Sequence, residues 1–272
     1  MDWNKTKTIF IIVFSILNVF LFWLYSERYN EALNVKERID TPIEERLLSD
    51  NIKVPKTGSF IQEASYVSGN VHLFSVEELD QLKNQTSEVK DGYALIGTFK
   101  ESLPITKENS LEKLVKENII RGNSYGMWKI DEEKQSATFF QKVNDRLVYH
   151  NQNAQLIVYW NDEKELIRYE QTVLDNLEEY DESKKLVSPM FVYRVLYSSS
   201  LLKADSTVKD LKLGYSTLAT QTETQLTQVF VFAPTWYVPV ELSDGTVGEH
   251  FVNAVEGSIS EIPKKTEQSE VK

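Results

Sequence analysis

The chain has 272 residues, 41% of them apolar, a formal net charge of −11 and no cysteine. That length and apolar content suffice for one large core or two small ones. The acidity argues against a nucleic-acid partner, which needs clustered Lys and Arg to displace counterions. The missing cysteine excludes disulfides, thiolate metal sites and cysteine nucleophiles.

Thr8 to Tyr25 reads TIFIIVFSILNVFLFWLY, uncharged, with Thr8, Ser15 and Asn18 as polar interruptions. As a helix it measures about 27 Å, close to the hydrocarbon thickness of a bilayer. Trp3 precedes the run and Trp23 and Tyr25 close it, which puts amphipathic rings at headgroup depth. SERYNEAL follows instead of a small-x-small cleavage site, so an uncleaved anchor is expected rather than a removed signal peptide. Lys5 and Lys7 lie before the helix and Glu27, Arg28 and Glu31 after it, which predicts a cytoplasmic N-terminus and an extracellular C-terminal domain. The expected division is a cytoplasmic stub over 1–7, a transmembrane helix over 8–25, a juxtamembrane helical stalk over 26–50, an extracellular domain over 51–262 and a disordered tail over 263–272. Ser15 and Asn18 share one helix face, so Ile11, Ser15, Asn18 and Phe22 form the candidate helix-pairing face; simple tolerance of two polar residues is the alternative.

Tyr29, Ala32, Val35 and Ile39 recur at helical spacing through the stalk. Thr41-Pro42-Ile43-Glu44 then predicts a new helix with Thr41 as N-cap, Pro42 in the first turn and Glu44 closing a capping box, burying Leu47 and Leu48. Strand-like pieces lie at Gly69 to Phe74 and Tyr93 to Phe99. Ser75 opens a helix with Val76, Leu79 and Leu82 on one face. A further helix has Asn109 as cap, Glu112 in the box, an apolar stripe of Leu111, Leu114, Val115 and Ile119, and Gly122 as its stop.

From Ser136 the pattern turns to strands: SATFFQKV, a turn at Asn144-Asp145, RLVYH, AQLIVYW, a turn at Asn161-Asp162 and ELIRYEQTV. Ser188-Pro189 opens a helix with Phe191, Val192, Val195 and Leu196 inward. Strands return with VFVF, then Trp236, Val238, Val240 and Leu242, a Ser243-Asp244-Gly245 turn, HFVNAV, a Glu256-Gly257 turn and SISEI. Pro239 belongs at an edge or a bulge, because it has no N–H for a ladder. The fold class is α+β, antiparallel sheets carrying helices. The two meanders, 136–173 and 229–262, suggest two similar subdomains, with a subdivision near residue 130.

Chemistry-bearing motifs are scarce. His72, His150 and His250 lack metal-ligand spacing and read as surface or strand filler; there is no phosphate loop, no GxGxxG and no nucleophile elbow. Glu77-Glu78, Glu132-Glu133 and Glu178-Glu179 are adjacent pairs, whereas glycoside hydrolysis needs carboxylates facing across a cleft. Trp236, Tyr237 and Phe251 could line a groove; alternation favours the core for Trp236 and leaves Tyr237 open. No catalytic residue, cofactor-binding residue or metal ligand is assigned.

The opening Asp2-Trp3-Asn4-Lys5-Thr6-Lys7-Thr8-Ile9-Phe10-Ile11, with Leu17-Asn18-Val19-Phe20-Leu21, resembles the start of the YycI (WalI) family. The likeness continues through Phe140-Gln141, Leu213-Gly214-Tyr215, Ala233-Pro234-Thr235-Trp236, Phe251-Val252-Asn253-Ala254 and Gly257. The resemblance implies an α+β accessory protein of low-GC Gram-positive bacteria. It implies no catalysis or cofactor, a YycH-like sister protein as partner, and control of a YycG/WalK sensor histidine kinase governing cell-wall metabolism. The residues themselves admit two rivals, a membrane-anchored binding module for a wall polymer, lipid or protease, and a divergent wall hydrolase.

Overall fold

The computed structural model describes residues 3–37, 42–55, 60–217 and 229–260. Helix α1 (Trp3–Glu37) is unbroken for 35 residues, roughly 50 Å. The membrane-length run therefore continues directly into the first part of the predicted stalk as one helix. Apolar side chains from Ile9 to Tyr25 are exposed, and none of the other described residues covers them. The cap expected at Thr41 and the tail over 263–272 lie outside the described residues.

Helix α2 (Ile43–Ser49) has Pro42 at the N-cap position and no side-chain capping bond. Its first turn starts later than the sequence suggests, which makes Ile43 and Leu47 the buried pair four residues apart. Leu48, expected to be buried, is 79% exposed. Next come β1 (Glu63–Val71), α3 (Val76–Asp80), β2 (Gln85–Lys90), β3 (Ala94–Pro104), α4 (Leu111–Asn118), β4 (Tyr125–Asp131) and β5 (Ser136–Val143). The short β6 (Arg146–Leu147), β7 (Gln155–Trp160), β8 (Glu165–Gln171), β9 (Leu174–Lys185) and α5 (Pro189–Ser198) follow. The described chain closes with β10 (Thr207–Val208), β11 (Lys212–Thr217), β12 (Val229–Glu241) and β13 (Val247–Asn253).

The fold is α+β, with two sheets whose strand pairs are antiparallel. One runs β10-β12-β1-β9, with β11 and β13 also on β12; the other runs β2-β3-β8-β7-β5-β4, with β6 on β5. The two-residue Asn144-Asp145 turn has positive φ at both positions, the geometry that matches strand twist in a tight hairpin. Because β4 pairs with β5, pairing runs straight across residue 130. The chain instead passes between sheets after β1 and again at Thr172 and Val173.

That second crossing is held by polar bonds. Gln141 donates from Nε2 to the Leu174 carbonyl and accepts the Leu174 N–H, each at 2.8 Å, and the Tyr125 hydroxyl donates to the Thr172 carbonyl at 2.5 Å. A buried amide that satisfies both backbone groups of one residue fixes its position far better than apolar packing would.

Each sheet has its own helical cover. Leu111, Leu114 and Val115 of α4 pack with Leu95, Phe139, Leu156, Val158 and Tyr169. Val192, Tyr193 and Leu196 of α5 pack, with Ile43 and Leu47, on Trp236, Val238 and Val240. Tyr193 takes the buried place expected of Val195, which is half-buried. A third cluster includes Val67, Phe230 and Phe232 from the first sheet and Val143, Val148 and Ala154 from the second strand system.

Three local expectations shift. The α4 cap is Ser110, which accepts the Lys113 N–H, rather than Asn109. Val76 on α3 is 69% exposed, although Ser75 opens the helix as expected and forms a capping box with Glu78. Pro239 lies within an interior strand. Its carbonyl accepts from Lys209 N–H, on the side where β10 ends at Val240 and β11 begins at Tyr237, so its missing N–H falls in a gap between two partners.

Candidate functional site

The membrane-length segment, Lys7–Ser26, carries the candidate pairing face. Ile11 and Phe22 are exposed on it, and Asn18 Nδ2 donates to the Phe14 carbonyl of its own helix at 2.8 Å. This back-bond uses one amide N–H and leaves the second N–H and the amide oxygen for a second helix.

Two side-chain clusters lie in the domain, and sequence reasoning assembled neither. The first is a ring of alternating charge. His72 Nδ1 lies 2.5 Å from Asp175 Oδ2 and His72 Nε2 lies 3.1 Å from Glu78 Oε2. Arg121 bridges the same carboxylates, donating from Nη1 to Asp175 Oδ1 and from Nη2 to Glu78 Oε1 at 3.4 Å. Burial raises the Glu78 carboxyl, but the Ser75 N–H and the charges of His72 and Arg121 outweigh it and hold it below the usual range. Asp175 is also held low, with burial opposed by its bonds to Arg121 and His72. Reading His72 as filler misses this partnership because Asp175 and Arg121 are distant in sequence and Glu78, six residues on, is brought back to it by the turn into α3.

The second cluster is aromatic. Trp128 is the extra residue of a bulge in β4, between Met127 opposite Phe139 and Lys129 opposite Thr138. A bulge re-aims a side chain, and Trp128 meets Tyr237 at 4.6 Å, Tyr149 and His150 at 5.4 Å and Phe140 at 5.5 Å between ring centroids. Phe251 closes the group against Tyr149 and His150, each at 5.4 Å. His150 Nε2 is buried without a hydrogen-bond partner among the described residues. Burial holds the His150 imidazole below its ordinary pKa, with Glu249 opposing, which favours a neutral ring among aromatics. Tyr237, whose role alternation left open, belongs to this cluster, while Trp236 is core and donates from Nε1 to the Val187 carbonyl at 3.2 Å. Bulge position was not legible from strand alternation, so Trp128 escaped notice.

The remaining candidates disperse. Glu132 pairs with Lys164, Glu179 accepts from Ser65 at 3.3 Å, and Glu78 belongs to the charged ring. Among the described residues no group of His, Asp and Glu is arranged to hold a metal ion. In the charged ring, Arg121 occupies the direction from which a cation would approach both carboxylates.

Among the described residues one helix is long and apolar enough to cross a membrane, and it precedes an α+β unit of two antiparallel sheets. The model of the YycI protein family matches residues 30–255, and the chain belongs to that family. The matched span includes both clusters. No match is found among curated proteins. Among solved structures, the chain is similar to an uncharacterized protein from Eubacterium rectale ATCC 33656, with 12% identity, 78% of this chain and 90% of that chain covered, and a TM-score of 0.46.

Proposed function

We propose that the protein is a membrane-anchored, non-enzymatic regulator of a YycG/WalK-type sensor histidine kinase controlling cell-wall metabolism, acting with a YycH-like sister protein. The carrying observation is the family match over 30–255 beside an apolar helix that the other described residues leave uncovered. Lys5 and Lys7, ahead of the apolar run that starts at Thr8, support a cytoplasmic stub over 1–7, and the domain over 51–262 is then extracellular. Helix contacts run through Ile11, Ser15, Asn18 and Phe22, and the domain supplies the rest of the partner surface. Crosslinking in intact membranes followed by affinity capture tests this: recovery of the kinase and the sister protein is expected, and their absence under conditions that retain other membrane complexes refutes it.

The half-buried Trp128 and Tyr237 favour one second reading, a module that binds a wall polymer through aromatic rings. Retention of the full-length protein on purified cell wall, lost in Trp128→Ala, distinguishes it.

A further inference from the structure

The charged ring joins parts of the molecule that belong to different cores. His72 follows β1 and donates its backbone N–H to the Val173 carbonyl, and Asp175 lies in β9, the partner of β1 in the first sheet. Glu78 sits on α3, whose Leu79 joins the core of the second sheet, and Arg121 follows α4, which covers that same core. His72 is only 8% exposed.

Both His72 nitrogens face carboxylate oxygens. An ionised carboxylate only accepts, so both contacts are hydrogen bonds only when both nitrogens carry protons. Closed in this way, two cations share two anions, with Arg121 Nη2 3.5 Å from His72 Nδ1 and the Asp175 oxygen nearer to that nitrogen at 2.5 Å. Removal of one imidazole proton to solvent turns a lone pair toward a carboxylate at the buried member of the ring and leaves Arg121, itself about a third exposed, alone between two negative charges. The groups facing His72 are Asp175 from β9, Glu78 from α3, Arg121 from the turn after α4 and the edge-on Phe74 ring at 4.8 Å. The Tyr125 hydroxyl, next along, stays bonded to the Thr172 carbonyl.

We propose that this ring is a proton-operated latch between the two sheets: protonated His72 holds α3 and the Arg121 turn against β1 and β9, and loss of that proton releases them. The carboxylates are held below their usual range and stay charged, and His72 is the member whose two-sided bonding depends on an added proton. Arg121 has φ of 55°, a left-handed conformation unfavourable for a bulky residue, and its guanidinium bonds to both carboxylates help to hold it there. The latch rests on this geometry and not on the regulatory reading, so either can fail alone.

The test is hydrogen exchange of the full-length protein in lipid nanodiscs at about pH 5.5 and 8.5, on either side of the range where histidine ordinarily titrates, with rates corrected for intrinsic chemistry. Protection over 72–82 and 119–126, relative to 229–241, is expected to fall about tenfold at the higher pH, about 1.4 kcal/mol. His72→Lys, a permanent cation, should stay protected at both pH values, and His72→Gln unprotected at both. Equal protection of the parent at both pH values overturns the latch, as does a pH response that survives in His72→Lys. The second criterion holds even when His72→Gln fails to fold.

Discussion

Gly214 controls the aromatic cluster by having no side chain. A Cβ there would stand 2.3 Å from Tyr149 Cε2 and 2.6 Å from the Leu147 carbonyl, so Tyr149 packs flat on β11 only over glycine. Gly214→Ala should cost about 1–3 kcal/mol through overpacking. The full-length protein in nanodiscs should show a thermal midpoint lower by roughly 2–4 °C per kcal/mol. Asn18 works in the opposite sense, by having a polar group where lipid offers no partner. One of its two amide N–H groups is already bonded to Phe14, so what Asn18→Leu takes from a second helix is the other N–H and the amide oxygen. A membrane hydrogen bond of this kind contributes about 0.6–2 kcal/mol. Quantitative co-purification should therefore show weaker kinase association at unchanged membrane localisation, and Ser15→Ala should do less. Unchanged association for both variants would reduce the helix to a tether.

At the scale of elements, α5 shows cap and packing acting together. Ser188 accepts the Phe191 N–H, Pro189 occupies the first turn where no N–H is needed, and Val192, Tyr193 and Leu196 lock the helix onto the first sheet. Ser188→Ala should destabilise by about 0.5–2 kcal/mol in urea titration. Leu114→Ala in α4 should cost about 2–5 kcal/mol, because that side chain is buried among sheet residues that cannot close the gap. The turn after α4 explains Gly122, the predicted stop. The helix ends earlier, at Asn118, and a Cβ on Gly122 would fall 2.0 Å from the Val115 carbonyl.

For the molecule as a whole, the join between sheets should govern its response to acid. Glu78 and Asp175 have carboxyls lowered in the folded state, so their contribution is present above the unfolded carboxylate range and is lost as pH falls through their folded values. Urea midpoints of the full-length protein should drop below about pH 4, and Asp175→Asn should flatten that drop. A steep loss unchanged in Asp175→Asn would place the acid sensitivity elsewhere. Topology is decided separately: a reporter fused after Lys272 should be active only outside the cell, and protease added to intact protoplasts should remove the domain.

The sequence by itself determined what local chemistry can specify. An uncharged run of membrane length became one exposed helix; Asn144-Asp145 and Ser243-Asp244-Gly245 became turns; Ser75 and Ser188 became caps; the stripe from Leu111 to Ile119 was buried. These signals work because turns, caps and amphipathic faces depend on neighbours within a few residues. Only the tertiary structure decided that β1 pairs with β12 and β9, that Pro239 sits between two strand partners, that a bulge turns Trp128 inward, and that His72, Glu78, Arg121 and Asp175 meet. Apart from His72 and Glu78, six residues apart, those contacts join residues separated by tens of positions or more, and strand pairing across such distances is chosen by the burial of both sheets at once. No window of the sequence contains that choice.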